Sequence, residues 1–414
     1  MNVNYYIEQF KTLWDESSNG FPDLGTEISL SEKQRREEGM EQFSQKIKGN
    51  LTPGANKDKI NEQLKYQMKE KFMIYAKNVF NFNGDEIRFI SENGFSGVTK
   101  EFMKMAKKFD SSIQIEDIFQ ACRNLWIINS LQLLMNQPVE VTQSTFAYSM
   151  LYPYSDNYLD DPNISKSEKI MFSLRFRDRL LGKNVIPANM NESRIFNLVG
   201  MIEGDWNRIA YPEVYESLIA IHDAQTKSIS LLSDQKNLSE DDLINISIEK
   251  GGASVLADGY LINGTLTRDE EWFCFGFGAF LQFIDDIQDI NEDMENNLVT
   301  MFTNAACNGK LEEFTNKTMS FSNNVIDDMN IFKTEILEEM KGLVSKSLNY
   351  MINEAVGMNY TFFNNEYLNI FERHSPFTYT FLRKKKKQMD PNRISIMKKI
   401  EEYVFPTEEV LAFS

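Results

Sequence analysis

The chain is predicted to be all-α, and three observations carry that expectation. Apolar residues recur at three- and four-residue spacing over long stretches, and segments alternating polar with β-branched residues are scarce. The ten prolines of the 414 residues also gather at joints between periodic runs rather than inside them. With 42% hydrophobic and 12% aromatic residues, the chain has ample material for a packed core.

The first elements are separated by the most polar, turn-rich breaks, NLTPGANKDK (50–59) and SENGFSG (91–97). Residues 1–100 are therefore expected to form an amino-terminal helical segment packed on a main α-domain of residues 101–414. IEDIFQACRNLWIINSLQLLM (115–135) places Ile118, Phe119, Cys122, Trp126, Ile127 and Leu131 near helical spacing. EVYESLIAIHDAQTKSISLL (213–232) does the same with Val214, Leu218, Ile221, Ala224 and Ile229. His222, on that apolar face, reads as a hydrogen-bonded core residue. Further breaks are expected at VIPANMNES (185–193) and KGGAS (250–254), and residues 318–355 read as one long or two consecutive amphipathic helices. RKKKKQ (383–388), the one block of like charge, reads as a solvated basic tail.

Composition narrows the function. A formal net charge of −17 argues against nucleic acid or an anionic membrane as the main partner. Three cysteines without a CxxC suggest neither a disulfide framework nor a zinc cluster, and two histidines leave little for a His-rich metal site. The opening MNVNYYIEQFKTLWDESSNG lacks a basic segment followed by an apolar run, and WIINSLQLLMN (126–136) is too short to cross a bilayer. The expectation is a soluble, cytoplasmic protein without stable membrane insertion.

Two acidic clusters carry the chemistry. In FLQFIDDIQDINED (280–293), read as one helix, Asp285, Asp289 and Asp293 form an i, i+4, i+8 stripe, with Asp286 beside it. Like charges at that spacing repel, so a bound divalent cation is the natural compensation, and all-oxygen ligation points to Mg²⁺ or Mn²⁺. In YSDNYLDDP (154–162), Asp156, Asp160 and Asp161 crowd a last helical turn, where carboxylates oppose the macrodipole. Either cluster alone reads as well as a solvated acidic face. The aromatic GFGAFLQF (276–283) before the one, and the existence of the other, tip the balance towards a metal-lined cavity mouth.

On these residues the chain resembles the class I isoprenoid synthase superfamily. Gly278, Gln282, Asp285, Asp286 and Asp289 fill the G-x-x-F-Q-x-x-D-D-x-x-D pattern of prenyl diphosphate synthases, with Leu281 in place of the Phe. DNYLDD resembles their first aspartate-rich motif and the D-x-x-x-D-D form of squalene/phytoene synthases. The resemblance implies an α-helical bundle around a central cavity, a prenyl diphosphate substrate and Mg²⁺ as cofactor, three ions with Mn²⁺ an alternative. It makes Asp156, Asp160, Asp161, Asp285, Asp286, Asp289 and Asp293 metal-binding candidates, with Lys250 and Gln225 in places like a diphosphate lysine and the Gln of a Gly-Gln motif. Gly251 stands where the family has Thr after the lysine. Arg175, Arg179, Arg208 and Arg373 are further diphosphate candidates; local salt bridges are the competing reading of the first two. Trp126, Phe146, Tyr148, Tyr152, Phe280, Gln282 and Phe283 are candidates to line the cavity. The G-G-K-R-x-R-P and Arg-Arg-Gly segments of chain-elongating enzymes are missing, which favours a terpene synthase over a prenyltransferase, chain-elongating or head-to-head. The intact aspartate ladder weighs against a catalytically inactive helical binding protein of the same fold. Monomer and homodimer both remain open.

Overall fold

A computed structural model of the chain describes residues 1–50, 93–161, 163–233 and 238–389, and every regular element among them is helical. In order, the α-helices are α1 (Val3–Glu16), α2 (Leu30–Asn50), α3 (Phe95–Phe109), α4 (Ile115–Leu134), α5 (Gln143–Asp160), α6 (Lys166–Leu180), α7 (Met190–Asp205) and α8 (Pro212–Ser233). There follow α9 (Glu240–Asn263), α10 (Arg268–Gln288), α11 (Ile290–Glu295), α12 (Met301–Cys307), α13 (Leu311–Asp327), α14 (Leu337–Met358), α15 (Asn365–His374) and α16 (Tyr379–Met389). Many start on a hydroxyl residue that accepts from the third backbone N–H and is bonded back in return. Thr142 with Thr145, Ser165 with Glu168, Ser239 with Asp242 and Thr267 with Glu270 are such reciprocal caps.

The centre is the α9–α10 hairpin. α9 packs against α8, α5 and α4, and α10 against α13 and α14, so each has neighbours on several sides. The two helices cross at Gly251 and Gly278, where backbones touch. A Cβ on Gly251 would lie 2.3 Å from the Gly278 carbonyl oxygen, and one on Gly278 2.1 Å from that of Gly251. This corrects the break expected at KGGAS: the glycines sit in mid-helix, and their missing side chains permit the close crossing. A threonine at 251, as in the family pattern, would not fit there.

Within residues 1–50, α1 and α2 both pack against the rest of the bundle. Tyr6, Phe10 and Trp14 of α1 are buried in the common core, Phe10 stacking on Phe275 at 5.7 Å and Trp14 edge-on to Phe283 at 4.9 Å. α2 is tied to the carboxyl-terminal helices: buried Lys33 donates to the Glu372 carbonyl, and Thr378 donates to Glu37 at 2.7 Å. The break expected at 50–59 lies, beyond Asn50, outside the described residues. Residues 318–355 resolve into two helices, α13 and α14, with a 3-10 turn (Asp328–Ile331) between them. The lysine run is not simply a solvated tail either. Lys384 and Lys385 both pair with Glu41, while Arg383 donates to the Gly357 carbonyl and lies over the Tyr360 ring. Among the described residues, no helix is long and apolar enough to cross a membrane.

Candidate active site

α10 and α9 together build an acidic wall. Asp285, Asp286 and Gln282 from α10, with Asp289 and Asp293 beyond it, face Ser247 and Lys250 from α9 across one cavity. Counting its open mouth, the cavity encloses about 1010 Å³. The ladder is not one straight helix. α10 ends at Gln288, and Asp289 (φ −96°, ψ 7°) joins it to α11. Four-residue hydrogen bonds still hold the register, Asp289 N–H to the Asp285 carbonyl at 3.0 Å and Asp293 N–H to that of Asp289 at 2.8 Å. Buried Asn359 secures the bend by donating to the Ile287 carbonyl at 2.7 Å, and Asn291 donates to its side-chain oxygen.

The acids on this wall differ in role. Asp286 is buried and accepts from Ser247 and Gln282, each at 2.7 Å, so its oxygens tie α9 to α10. Burial pushes it up to about 6, against the pull of Ser247 and Lys250. Partial burial, then repulsion from neighbouring acids, raises Asp289 to about 6 and Asp293 to about 7. Two cations temper the repulsion, Lys250 acting on Asp286 and Asp293, and Arg123 of α4 acting on Asp289. Among the described residues, neither Asp285, Asp289 nor Asp293 has a cation within ion-pair distance.

Across the cavity stands Asp156 of α5, which accepts from Gln225 at 3.1 Å and from Ser155 at 3.1 Å. Asp156, Leu159 and Gln225 also line a second, half-open apolar chamber of about 500 Å³ counting its open mouth. Tyr148, Tyr152, Leu151, Phe176, Leu218 and Ile221 are among its walls. The two phenols are fixed by α9: Tyr152 shares a 2.6 Å hydrogen bond with Ser254 Oγ, and Tyr148 donates to the Ser254 carbonyl at 3.1 Å. An acid-walled cavity and a hydrocarbon-like chamber thus meet at one boundary.

Several candidates lie elsewhere. Asp161 accepts from Asn163 in a local turn just past α5 and does not line the cavity. The side chain of Asp160, the last residue of α5, lies outside the described residues. The arginines serve structural pairs. Arg175 forks onto the fully buried Glu192, and Arg179 and Arg208 share Glu203. Arg208 also stacks over Tyr215 at 3.8 Å, and Arg373 is exposed near Glu27 at 3.6 Å. Trp126 faces outward and donates to Thr99, because its neighbours Leu125 and Ile128 take the inner face of α4. Phe146 packs on Phe102 and Phe109 of α3. Phe280 and Phe283 are fully buried, Phe283 between Trp14 and Phe321, one position round the helix from the cavity-facing Gln282. Sequence reading missed Ser247, which lies one turn before Lys250 on α9 and was findable from that spacing. Arg123 carried no such signal.

The donor set suits a hard cation: carboxylates without histidine or thiolate, held close enough to raise one another's proton affinity. Among the described residues, however, no three such groups converge as a ready coordination cluster. The acids line a common cavity without closing into such a cluster. No family model matches the chain, and no curated protein does. A geranyltransferase from Legionella pneumophila, a solved structure, superimposes with a TM-score of 0.32 at 12% identity, over 84% of this chain and 98% of that one. Likeness at that level carries no argument about activity, so the chemistry rests on the cavity itself.

Proposed function

We propose that the chain is a Mg²⁺-dependent class I terpene synthase, which ionises a linear prenyl diphosphate and lets the resulting carbocation cyclise or rearrange. The observation that carries this reading is the meeting of the acid-walled cavity with the apolar chamber at Asp156, Leu159 and Gln225. Asp285, Asp289, Asp293 and Asp156 would hold Mg²⁺, which when bound supplies positive charge to a departing diphosphate. Lys250 adds a fixed cation on the same side. The hydrocarbon would extend past Gln225, where Leu151, Phe176 and Leu218 exclude water and the Tyr148 and Tyr152 ring faces stabilise positive charge.

Incubation with Mg²⁺ and prenyl diphosphates of ten to twenty-five carbons should release diphosphate, and Asp285→Asn should cut the rate by about 10²-fold or more. No release from any of them would sink the reading. Prenyl transfer is the second reading, favoured by the polar cavity being the larger of the two by the same measure, about 1010 Å³ against about 500 Å³, each counted with its open mouth. A product that forms only when isopentenyl diphosphate is added would decide for transfer.

A further inference from the structure

His222 is more than a packed core residue. It is 8% exposed, yet it lines the apolar chamber between Ile221 and Gln225, with its ring edge-on to Phe176 at 5.1 Å. Its Nε2 lies 3.2 Å from Ser173 Oγ, which lies 2.9 Å from Thr226 Oγ1. Thr226 Oγ1 in turn donates to the His222 carbonyl at 2.9 Å, so the two hydroxyls close a chain that fixes the imidazole. Of the residues lining the chamber, His222 alone carries a basic nitrogen. Burial pushes it down to about 4; Asp223 pulls it up and Arg177 down, but those two are paired with each other. It is therefore neutral, with a nitrogen lone pair, at ordinary pH.

We propose that His222 is the base that ends the reaction in the chamber, and that Ser173, bonded in turn to Thr226, is a positioning residue that holds the proton of the neutral ring on Nε2 and leaves the lone pair on Nδ1. This rests on the proposed ionisation of a prenyl diphosphate. Departure of diphosphate takes the C–O electron pair and leaves a carbocation. A C–H bond next to the cationic carbon breaks, and its electron pair becomes the new C=C bond. The proton goes to Nδ1, the ring nitrogen not bonded to Ser173. The imidazolium, disfavoured by burial, gives the Nδ1 proton to water once product has left, which restores neutral histidine with its proton on Nε2 and its lone pair on Nδ1. Without this base the cation persists until water captures it, giving an alcohol.

The test measures the olefin-to-alcohol ratio per diphosphate released, using the full chain, Mg²⁺ and the prenyl diphosphates that turn over. His222→Gln keeps a group able to bond Ser173 and removes the base, and the ratio should fall about tenfold or more. Leu218→Ile reshapes the same chamber without touching a base; it should redistribute carbon skeletons and leave that ratio in place. Ser173→Ala, which keeps the imidazole, should lower the ratio in the same direction and serves if His222→Gln does not fold. A wild type yielding only alcohols, or a ratio unmoved in the His222 and Ser173 variants, overturns the assignment. Wild-type protein that releases no diphosphate fails the parent reading instead.

Discussion

Two sets of acids in this molecule are treated in opposite ways. On the α6–α7–α8 side, Glu192, Glu203 and Asp223 each take an arginine, Arg175, Arg179 and Arg177 respectively, in paired geometry. On the α10–α11 wall, Asp285, Asp289 and Asp293 stand together in one cavity with no described cation in ion-pair range. Among the described residues, the arginines paired with carboxylates sit elsewhere, and Arg123 reaches Asp289 only beyond ion-pair distance. Crowded acids without ion-pair partners cost stability, and this is the cost that a bound cation would relieve under the function proposed above.

The comparison can be broken at either end. The largest effect is expected from Arg175→Met, which strands the fully buried Glu192 and should cost about 3–5 kcal/mol of stability, read as a loss in denaturant midpoint. A cost under about 1 kcal/mol would mean the outer pairs are not structural. The opposite sign is expected on the wall. Asp293→Asn removes repulsion from Asp285, Asp286 and Asp289, and should stabilise the metal-free protein by about 1 kcal/mol. Destabilisation there would show that the ladder is satisfied without a cation.

Acidity gives the same contrast in another form. Asp286 and Asp289 at about 6 and Asp293 at about 7 stand above the roughly 3.9 of an unfolded aspartate. The folded wall keeps protons that the unfolded chain has lost. Its contribution is therefore fully present below about pH 4 and is lost as pH rises through 6 and 7. Glu203 runs the other way: Arg179 holds it below the usual carboxylate range, so its contribution is lost only as pH falls through its folded value. Melting of the metal-free protein should thus occur at higher temperature at pH 5 than at pH 8, and added Mg²⁺ should raise the midpoint more at pH 8. A flat pH profile would contradict the wall's raised proton affinity. The smallest effect is expected for Arg373→Ala, within about 0.5 kcal/mol and without change in diphosphate release, because that side chain and its partner Glu27, 3.6 Å away, are both exposed.

How much of this was legible in the sequence depends on range. The helical class and the Asp285–Asp293 spacing follow from local period, whereas Lys250 was a candidate only through the family resemblance; the cavity brings it to the same acids. The arginines did not follow, because Glu192, Glu203 and Asp223 lie 17, 24 and 46 residues from their partners. Spacing says nothing at that separation. The aromatics failed for an angular reason: Phe283 and Gln282 are adjacent in sequence and about 100° apart on the helix, so one meets the cavity and the other the core. Gly251 looked like a departure from a motif and is a steric requirement of the crossing.

Asn359 has a consequence in time rather than in space. The carboxylates of the ladder are all synthesised by residue 293, but the side chain that secures their bend comes some 66 residues later. During synthesis the acidic stretch exists first without its clasp, free to sample other angles. The wall reaches its working shape only after the carboxyl-terminal helices have docked, which links maturation of the site to completion of the bundle. A chain cut short before that asparagine would hold every acid and lack the arrangement that makes them a site.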